Sequence, residues 1–125
     1  MLKKLSDNAE TILKERYYLK DKRGRVVEDW PALCKRVVDC VVPEERLVET
    51  YKYTKKQAKR IREQIFEMVN ELYFLPNSPT MFNAGTKVPM LSACFVLDVE
   101  DDLEKIYESV KESAVVHKYG GGTGS

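Results

Sequence analysis

The chain has 125 residues, about one domain's worth, of which 43% are hydrophobic and 33% are charged. This composition excludes disordered and collagen-like proteins, because it supplies enough apolar surface for a core. The 21 basic and 20 acidic residues leave a net charge of +1, which gives no strong attraction to nucleic acid or to anionic membranes. No apolar run approaches the ~20 residues of a membrane span. A soluble, cytoplasmic protein that binds neither nucleic acid nor membrane is therefore predicted.

The chain contains three cysteines, Cys34, Cys40 and Cys94. An odd number without a CxxC pair argues against a disulfide scaffold or a zinc finger, so no metal site is predicted. Cys34 and Cys40 are six residues apart on one amphipathic helix, a spacing that puts them on opposite sides and prevents them from pairing. Cys34 is predicted to lie in the core and Cys40 at its rim.

The start of the chain predicts a helix followed by a short hairpin. Ser6 or Asp7 caps the helix. Its apolar stripe consists of Ala9, Ile12, Leu13 and Tyr17. Residues 18–28 then indicate a hairpin whose turn uses the positive φ available to Gly24.

Three further helices are predicted before residue 75. Asp29 precedes a helix that has Pro31 in its first turn and stops at Pro43. The apolar face of this helix is Leu33, Cys34, Val37, Val38 and Val41. Residues 44–53 form a short helix, and a long helix starts near Thr54. The apolar stripe of the long helix is Ala58, Ile61, Ile65, Val69 and Leu72.

Residues from Leu75 onward predict a proline-rich loop, a turn and a strand. Two prolines, Pro76 and Pro79, exclude a helix over residues 75–80, and residues 83–86 form a turn. Residues 91–99 alternate as in a strand. One face of that strand carries Leu91, Ala93, Phe95 and Leu97, and the other carries Ser92, Cys94, Val96 and Asp98.

The last predicted helix opens at the Asp101-Asp102 pair, where Asp101 and Glu104 fit a capping box. Its predicted buried stripe is Leu103, Ile106, Tyr107, Val110, Ala114 and His117. His117 is the single histidine of the chain and is expected to be structural, because a cation is favourable near a helix C-terminus. A glycine run over residues 120–124 follows the helix.

Two features of the second half bear chemistry that a ligand or a redox partner would use, and each also has a structural interpretation. Ser78, between Asn77 and Pro79, presents a hydroxyl that would bind a phosphate oxygen, or it belongs to a simple helix-to-strand connection. Cys94 is a redox thiol, or it is a small buried hydrophobic residue. A redox thiol needs a resolving partner, and neither of the other two cysteines is an obvious one.

The acidic turn and the glycine run likewise each have a structural interpretation and a ligand-binding one. Carboxylates at residues 100–102 compensate the helix dipole, or one of them accepts a hydrogen bond from a ligand hydroxyl. A sugar fits better there than a phosphate, which the carboxylates would repel. The run at 120–124 fits neither the dinucleotide fingerprint nor the P-loop. It forms a helix cap with a flexible tail, or it lets a flat base or a ribose approach the backbone.

Four segments, in this order, resemble the N-terminal part of the large, catalytic subunit of ribonucleotide reductase, closest to the adenosylcobalamin-dependent class II form. The segments are residues 75–80 (LPNSPT), 83–85 (NAG), 91–96 (LSACFV) and 120–124 (GGGTG). The stretch from Asn8 to Trp30 is similar to the N-terminal helical segment of the same family. The resemblance therefore covers nearly the whole chain.

The resemblance implies roles for particular residues. Cys94 matches the N-terminal member of the redox-active cysteine pair, which supplies reducing equivalents as the 2′-hydroxyl of the substrate leaves. Ser78 matches a substrate-phosphate contact, Ala93 and Cys94 border the ribose, and Gly122 matches a glycine that contacts the substrate. The specificity site, where a regulatory deoxynucleotide binds, would begin with three consecutive residues, Asp101, Asp102 and Leu103.

The fold predicted from the residues and the resemblance together is mainly α. Residues 1–88 form a helical N-terminal domain with a short β-hairpin. Residues 89–125 form the first strand–helix unit of an incomplete ten-stranded α/β barrel, with a glycine-rich end. The radical-bearing cysteine, the second redox cysteine and the cobalamin site lie farther downstream in the family, so this chain alone is expected to be inactive.

The function predicted from this resemblance is that of an N-terminal component of a class II ribonucleotide reductase, as a split subunit or a fragment. It would assemble with the C-terminal remainder, which holds adenosylcobalamin, and use a ribonucleotide substrate, a deoxynucleotide effector and a thioredoxin-like reductant. The choice between diphosphate and triphosphate, and assembly into a homo-oligomer, stay open. The alternative is a non-catalytic nucleotide-binding or assembly module derived from the reductase, and a helical scaffold without a ligand is a third interpretation.

Overall fold

The computed structural model describes residues 5–88 and 90–125. Residues 1–4, and Pro89 at the start of the second predicted domain, lie outside the described residues. The helices are α1 (Asp7–Ile12), which continues as a π-helical turn (Leu13–Tyr17), α2 (Trp30–Val41), α3 (Glu44–Glu49), α4 (Lys55–Asn70), α5 (Ser78–Asn83) and α6 (Leu103–Lys118). The strands are β1 (Cys94–Val96) and β2 (Gly122–Gly124). The prediction of a mainly α fold is confirmed.

The described chain forms two compact units, Met1–Pro76 and Asn77–Ser125. The boundary between the units falls before α5, whereas the sequence placed the domain boundary at residue 88. Residues 77–88 belong to the second unit because polar side chains of α5 bind its backbone. Thr80 Oγ1 donates to the carbonyl of Leu91 at 2.8 Å, and Asn83 Nδ2 donates to the carbonyl of Met90 at 2.8 Å.

The first helix and the hairpin form as predicted. Ser6 caps α1, its hydroxyl accepting from the amide of Ala9 at 3.2 Å. Lys20 and Val26 form an antiparallel bridge, and Gly24 in the turn between them has φ 76°. The predicted apolar stripe of α1 is only partly buried, because Ile12 lies at the surface.

The core of the first unit is formed where α2 packs against α4. Asp29 caps α2 by accepting from the amide of Ala32 at 3.0 Å, and Thr54 caps α4 in a capping box with Gln57. The buried residues of the two helices are Trp30, Leu33, Cys34, Val37, Val38, Ala58, Val69 and Asn70. The predicted starts of both helices are confirmed, as are a buried Cys34 and an exposed Cys40.

An ion pair between Glu28 and Arg36 ties the end of the hairpin to α2. Glu28 Oε1 accepts from Arg36 Nε at 2.8 Å, and Glu28 Oε2 accepts from Arg36 Nη2 and from the amide of Leu19, both at 3.0 Å. The two side chains are 5% and 10% exposed. A desolvated carboxylate is stable here because a bidentate guanidinium and a backbone amide satisfy it.

The prediction that residues 75–80 cannot be helical is wrong, because α5 begins at Ser78. The side chain of Asn77 accepts from the amide of Thr80 at 2.9 Å and so caps the helix. Pro79 lies in the first turn, where the missing N–H costs no helical hydrogen bond. Proline at this position favours a helix start, and only a proline farther along would break the helix.

The second unit is built around a parallel βαβ arrangement. The glycine run forms β2, which pairs in parallel with β1, so that Cys94 lies opposite Gly122, Phe95 opposite Thr123 and Val96 opposite Gly124. The expectation of a single strand, with the glycines as a cap or tail, is therefore wrong. Exposure along residues 91–98 alternates as predicted, although only Cys94–Val96 forms the ladder.

The helix α6 turns a different face to the sheet from the predicted one. Its N-cap is Asp102, not Asp101, because Asp102 Oδ1 accepts from the amides of Glu104 and Lys105. Its half-buried residues are Ser109, Ser113 and Val116. The predicted buried stripe is exposed, at 71% for Leu103, 69% for Tyr107 and 60% for Val110, and also at Ile106, Ala114 and His117.

Small side chains explain this choice of face. Gly121 comes so close to α6 that an added Cβ would lie 2.7 Å from Val116 Cγ1. The serines on the same face also satisfy polar groups of the sheet, and Ser109 donates to the carbonyl of Asp98 at 2.8 Å. Close approach and hydrogen bonding thus outweigh the larger apolar area on the other side of the helix. Among the described residues, no helix combines the length and the apolar character that crossing a membrane requires.

Candidate functional site

The candidate site lies on the face of the two-stranded sheet that points away from α6. Side chains of paired residues on parallel strands lie on the same side of the sheet. The Thr123 side chain forms a hydrogen bond with Ser113 of α6, so the residues before and after Thr123 face away from α6, together with their register partners in β1. We call the surface formed by Cys94, Val96, Gly122 and Gly124 the open face. Val96 on this face is 89% exposed, and Cys94 is exposed as well.

Two of the residues singled out from the sequence, Cys94 and Gly122, come together at this face, and the backbone of a third, Ala93, bonds to Gly122. Cys94 and Gly122 are register partners, and the amide of Gly122 donates to the carbonyl of Ala93 at 2.7 Å. A second ladder bond runs from the amide of Leu97 to the carbonyl of Gly124 at 2.9 Å. The exposed thiol of Cys94 therefore lies beside the backbone of β2, which carries no side chain on this face.

The glycines of the run differ in what the fold requires of them. Gly120 has φ 90°, a conformation that favours glycine, and Gly121 has no room for a Cβ against Val116. In contrast, a Cβ on Gly122 would come no closer than 3.8 Å to the carbonyl oxygen of Ala93, and one on Gly124 would meet nothing within 4 Å. Packing within this chain thus requires the first two glycines and not the last two. Gly122 and Gly124 leave the backbone of the open face accessible to a ligand.

We expect alanine to separate these two roles. Gly121→Ala should lower the free energy of unfolding of the second unit by roughly 1–3 kcal/mol, because the added methyl group overlaps Val116 and Phe95. Gly122→Ala should change it by less than about 1 kcal/mol, since its methyl group projects from the open face. Hydrogen exchange of the α6 amides measures both effects. Equal destabilisation by the two substitutions would contradict the assignment.

The three thiols have different environments. Cys34 is fully buried, and burial raises the pKa of its thiol to about 12, so it stays protonated and unreactive at neutral pH. Cys40 is exposed but belongs to the first unit, whereas Cys94 belongs to the second. The described cysteines form no disulfide. Cys94 is therefore the one described thiol on the open face.

Ser78 is the first residue of α5 and is exposed, in the same unit as Cys94. Pro79 has no N–H and the amide of Thr80 is bound by the Asn77 side chain, so an anion here would be held mainly by the Ser78 hydroxyl. The structure does not include Ser78 in the open face, which belongs to the paired strands. A phosphate contact at Ser78 stays a prediction.

Asp101, Asp102 and Leu103 lie together at the N-terminal end of α6, after the loop that leaves β1. Asp102 uses Oδ1 to cap the helix, while Asp101 and Leu103 are exposed. Glu100 forms an ion pair with Lys105 across this turn. Asp101 thus presents an exposed carboxylate that is not used by the helix cap, and its role as a ligand contact stays a prediction.

Sequence reasoning assigned Asn83 to a turn and missed its structural role. Asn83 is buried, and its Nδ2 donates to the carbonyl of Met90 and, at 3.3 Å, to that of Tyr119. It thus links the segment that enters β1 to the segment that leaves α6. The one signal in the sequence is that Asn83 stands between Phe82 and Ala84, and an amide side chain that is buried among such neighbours needs hydrogen-bond partners.

Comparison with known proteins gives two family matches. Residues 3–89 match the family model described as ribonucleotide reductase, all-alpha domain, and residues 92–125 match the one described as ribonucleotide reductase, barrel domain. The first match ends at residue 89 and the second begins at residue 92.

Individual relatives agree with the family matches. The chain is 40% identical over 121 residues to a vitamin B12-dependent ribonucleoside-diphosphate reductase of Mycobacterium tuberculosis, covering 97% of this chain and 17% of the relative. It is 32% identical over 171 aligned positions to the Thermoplasma acidophilum protein of the same name, covering 97% and 22%. A ribonucleoside-diphosphate reductase large subunit of African swine fever virus is 34% identical over 112 residues, covering 90% and 13%. The chain thus spans less than a quarter of the length of these relatives.

Proposed function

The chain belongs to the ribonucleotide reductase family, as an N-terminal part of the large subunit of the vitamin B12-dependent type. On that premise, we propose that it supplies one reducing thiol and part of the nucleotide site of a class II ribonucleoside-diphosphate reductase. The observation that carries the proposal is the exposed thiol of Cys94 in register with Gly122 on the open face. A ribose placed over Gly122 would meet the thiol without displacing any side chain of β2.

The reaction replaces the 2′-hydroxyl of a ribonucleotide by hydrogen and releases water. Two thiols supply the two electrons and two protons and become a disulfide, which a thioredoxin-like dithiol reduces again. We assign one of these thiols to Cys94. The second thiol, the radical-bearing cysteine and the carboxylate that handles the proton come from the remainder of the large subunit.

We assign substrate contacts to three further residues, Ser78, Ala93 and Gly122. Ser78 would hold a phosphate oxygen at the start of α5, while Ala93 and Gly122 would border the ribose. The substrate class, ribonucleoside diphosphates, follows the names of the relatives. We infer that the product serves deoxyribonucleotide supply for DNA replication and that the reaction takes place in the cytoplasm.

Adenosylcobalamin supplies the initial radical when it is bound, and we assign its binding to the remainder of the subunit. The described residues do not fit it. The cavity between α6 and the ends of the strands has a volume of about 290 Å³, and an open cavity beside Met68 and Tyr73 has about 610 Å³. Both lie within the range of sites for drug-sized ligands or just below it, and cobalamin is far larger. Among the described residues no group of three or more His, Cys, Asp or Glu could hold a metal ion.

Reconstitution tests the proposed function. The 125-residue chain is mixed with the complementary downstream part of the large subunit, adenosylcobalamin, a ribonucleoside diphosphate and thioredoxin. Deoxynucleotide should form in the mixture and not with either polypeptide alone. A stable complex of the two polypeptides that binds substrate but forms no deoxynucleotide would reject the proposal.

A non-catalytic nucleotide-binding module is the second candidate. The observation that supports it is the exposed carboxylate of Asp101, which the helix cap does not use and which is therefore available to a ligand. We expect saturable binding of a deoxynucleoside triphosphate, with Asp101→Ala weakening it roughly tenfold through loss of one charge-assisted hydrogen bond to the sugar. Glu104→Ala is the matched control, since Glu104 is an exposed acid in the same turn. Calorimetric titration measures both variants. Binding without any reconstituted turnover would favour the module, and no binding would favour a scaffold.

A further inference from the structure

A chain of three polar side chains connects α6 to β2. Ser113 Oγ lies 2.9 Å from Thr123 Oγ1, and Thr123 Oγ1 lies 3.1 Å from His117 Nε2. Ser113 and His117 are four residues apart on α6, so they lie on the same side of the helix. Thr123 is the central residue of β2. We call Ser113, His117 and Thr123 the hydroxyl–imidazole clamp.

Both hydrogen bonds of the clamp can form whichever nitrogen of the imidazole carries the proton. A threonine hydroxyl donates one hydrogen bond and accepts others. When His117 Nε2 is bare, Thr123 donates to it and accepts from Ser113. When His117 Nε2 carries a proton, His117 donates to Thr123, which in turn donates to Ser113. The clamp therefore does not depend on one tautomer.

The composition of β2 makes this clamp the side-chain link between the strand and α6 among the described residues. Gly122 and Gly124 have no side chains that could pack against α6, so Thr123 is the one residue of β2 that can bind the helix through a side chain. Glycine also weakens a strand through its backbone entropy. Two of the ladder bonds, from Gly122 to Ala93 and from Leu97 to Gly124, lie on either side of Thr123.

The position of Thr123 thus determines the position of the open face. Gly122 is the register partner of Cys94, so a displacement of β2 along or away from β1 changes the distance between the thiol and the accessible backbone. Displacements of about 1 Å at a reaction site are enough to reduce rates greatly. A strand that consists mostly of glycine needs an external support to avoid them.

We propose that Ser113, His117 and Thr123 are positioning residues that hold Gly122 in register with Cys94 and so preorganise the open face for the nucleotide. The identity of the ligand rests on the proposed function; the clamping of β2 does not. None of the three residues touches the substrate in this proposal, since all three lie on the α6 side of the sheet.

Hydrogen exchange on the 125-residue chain tests the clamp without nucleotide or partner. Thr123→Val keeps the branched shape and removes both hydrogen bonds, and it should speed exchange of the Gly122 and Leu97 amides roughly tenfold, as expected for a lost hydrogen bond. Thr123→Ser keeps the hydroxyl and should restore protection. Ser109→Ala is the matched control, because it removes a hydrogen bond from the same helix to Asp98 rather than to β2. Equal exchange in the valine and serine variants would overturn the proposal.

A second pair of variants decides the case if Thr123→Val unfolds the second unit, which loss of protection throughout α6 would reveal. His117→Gln retains a side chain that can donate or accept, and His117→Leu does not. Faster exchange at Gly122 in the leucine variant alone supports the clamp, and equal exchange in the two variants overturns it.

The reconstituted reductase provides the readout for nucleotide positioning. Thr123→Val should raise KM for the ribonucleotide roughly tenfold and lower kcat less, while Thr123→Ser should stay near the unmodified chain. An unchanged KM together with faster exchange would overturn the role in nucleotide positioning. Absence of turnover with the unmodified chain would count against the proposed function instead, and the exchange experiment would still decide whether the clamp holds β2.

Discussion

Replacing Cys94 with serine is expected to reduce thioredoxin-dependent turnover of the reconstituted reductase to background while leaving the fold unchanged. Serine has nearly the shape of cysteine, and the Cys94 side chain is exposed on the open face, so the substitution perturbs no packing. The hydroxyl cannot form a disulfide with the second thiol, so the pair can no longer give two electrons to the substrate. Deoxynucleotide formed per polypeptide over many turnovers measures the effect.

The matched control is Cys40→Ser, which removes the other exposed thiol. Cys40 belongs to the first unit, and we assign it no role in the reaction. Its serine variant should therefore keep full turnover with thioredoxin. Full turnover in the Cys94→Ser variant would show that the reducing thiol has been assigned to the wrong residue.

Removing the cation from the buried ion pair is expected to give the largest loss of stability in the first unit. Arg36→Met leaves the carboxylate of Glu28 in a nearly dry position with only the amide of Leu19 as its partner. Breaking a buried pair in this way typically costs about 3–5 kcal/mol, because the remaining charge is uncompensated. Urea unfolding measures the loss, and the single tryptophan, Trp30, is buried in α2 and reports on the same core.

Two further variants separate the buried charge from a general effect of removing arginine. Arg25→Met breaks the exposed pair with Asp21 and should cost less than about 1 kcal/mol. Adding Glu28→Gln to Arg36→Met removes the stranded charge and should recover part of the loss. Similar losses in the Arg25 and Arg36 variants would mean that the Glu28–Arg36 pair is no more important than a surface pair.

Features encoded by a few neighbouring residues could be predicted from the sequence. The caps at Ser6, Asp29 and Thr54 each require one side chain to reach an amide two or three residues ahead, and all three form. The turn at Gly24 likewise depends only on local backbone freedom. The proline error at α5 is also local, because it came from ignoring where in a helix Pro79 would lie.

The orientation of α6 and the second strand could not be predicted in this way. The sequence pattern favours burying Leu103, Tyr107 and Val110, but the sheet approaches the side of the helix that carries serines and Val116. That choice depends on β2, and a run of glycines carries no strand signal of its own. Pairing with β1 creates the strand, so the information lies in a contact between distant parts of the sequence.

The candidate site was only partly accessible to sequence reasoning. Cys94, Ala93 and Gly122 were singled out through a family resemblance, and their juxtaposition follows from the parallel register. Thr123 and Asn83 were not singled out, because their importance comes from hydrogen bonds to residues outside their own element. The substrate and effector roles assigned to individual residues remain predictions.

The burial of Cys34 makes its thiol a probe of whether the first unit is folded. Cys34 is fully enclosed, and burial raises the pKa of its thiol to about 12. The folded chain therefore offers a thiol-labelling reagent two of its three cysteines at neutral pH, and the third becomes available when the core around α2 opens. The slow phase of labelling therefore follows the breathing of the first unit, independently of any nucleotide, cofactor or companion polypeptide.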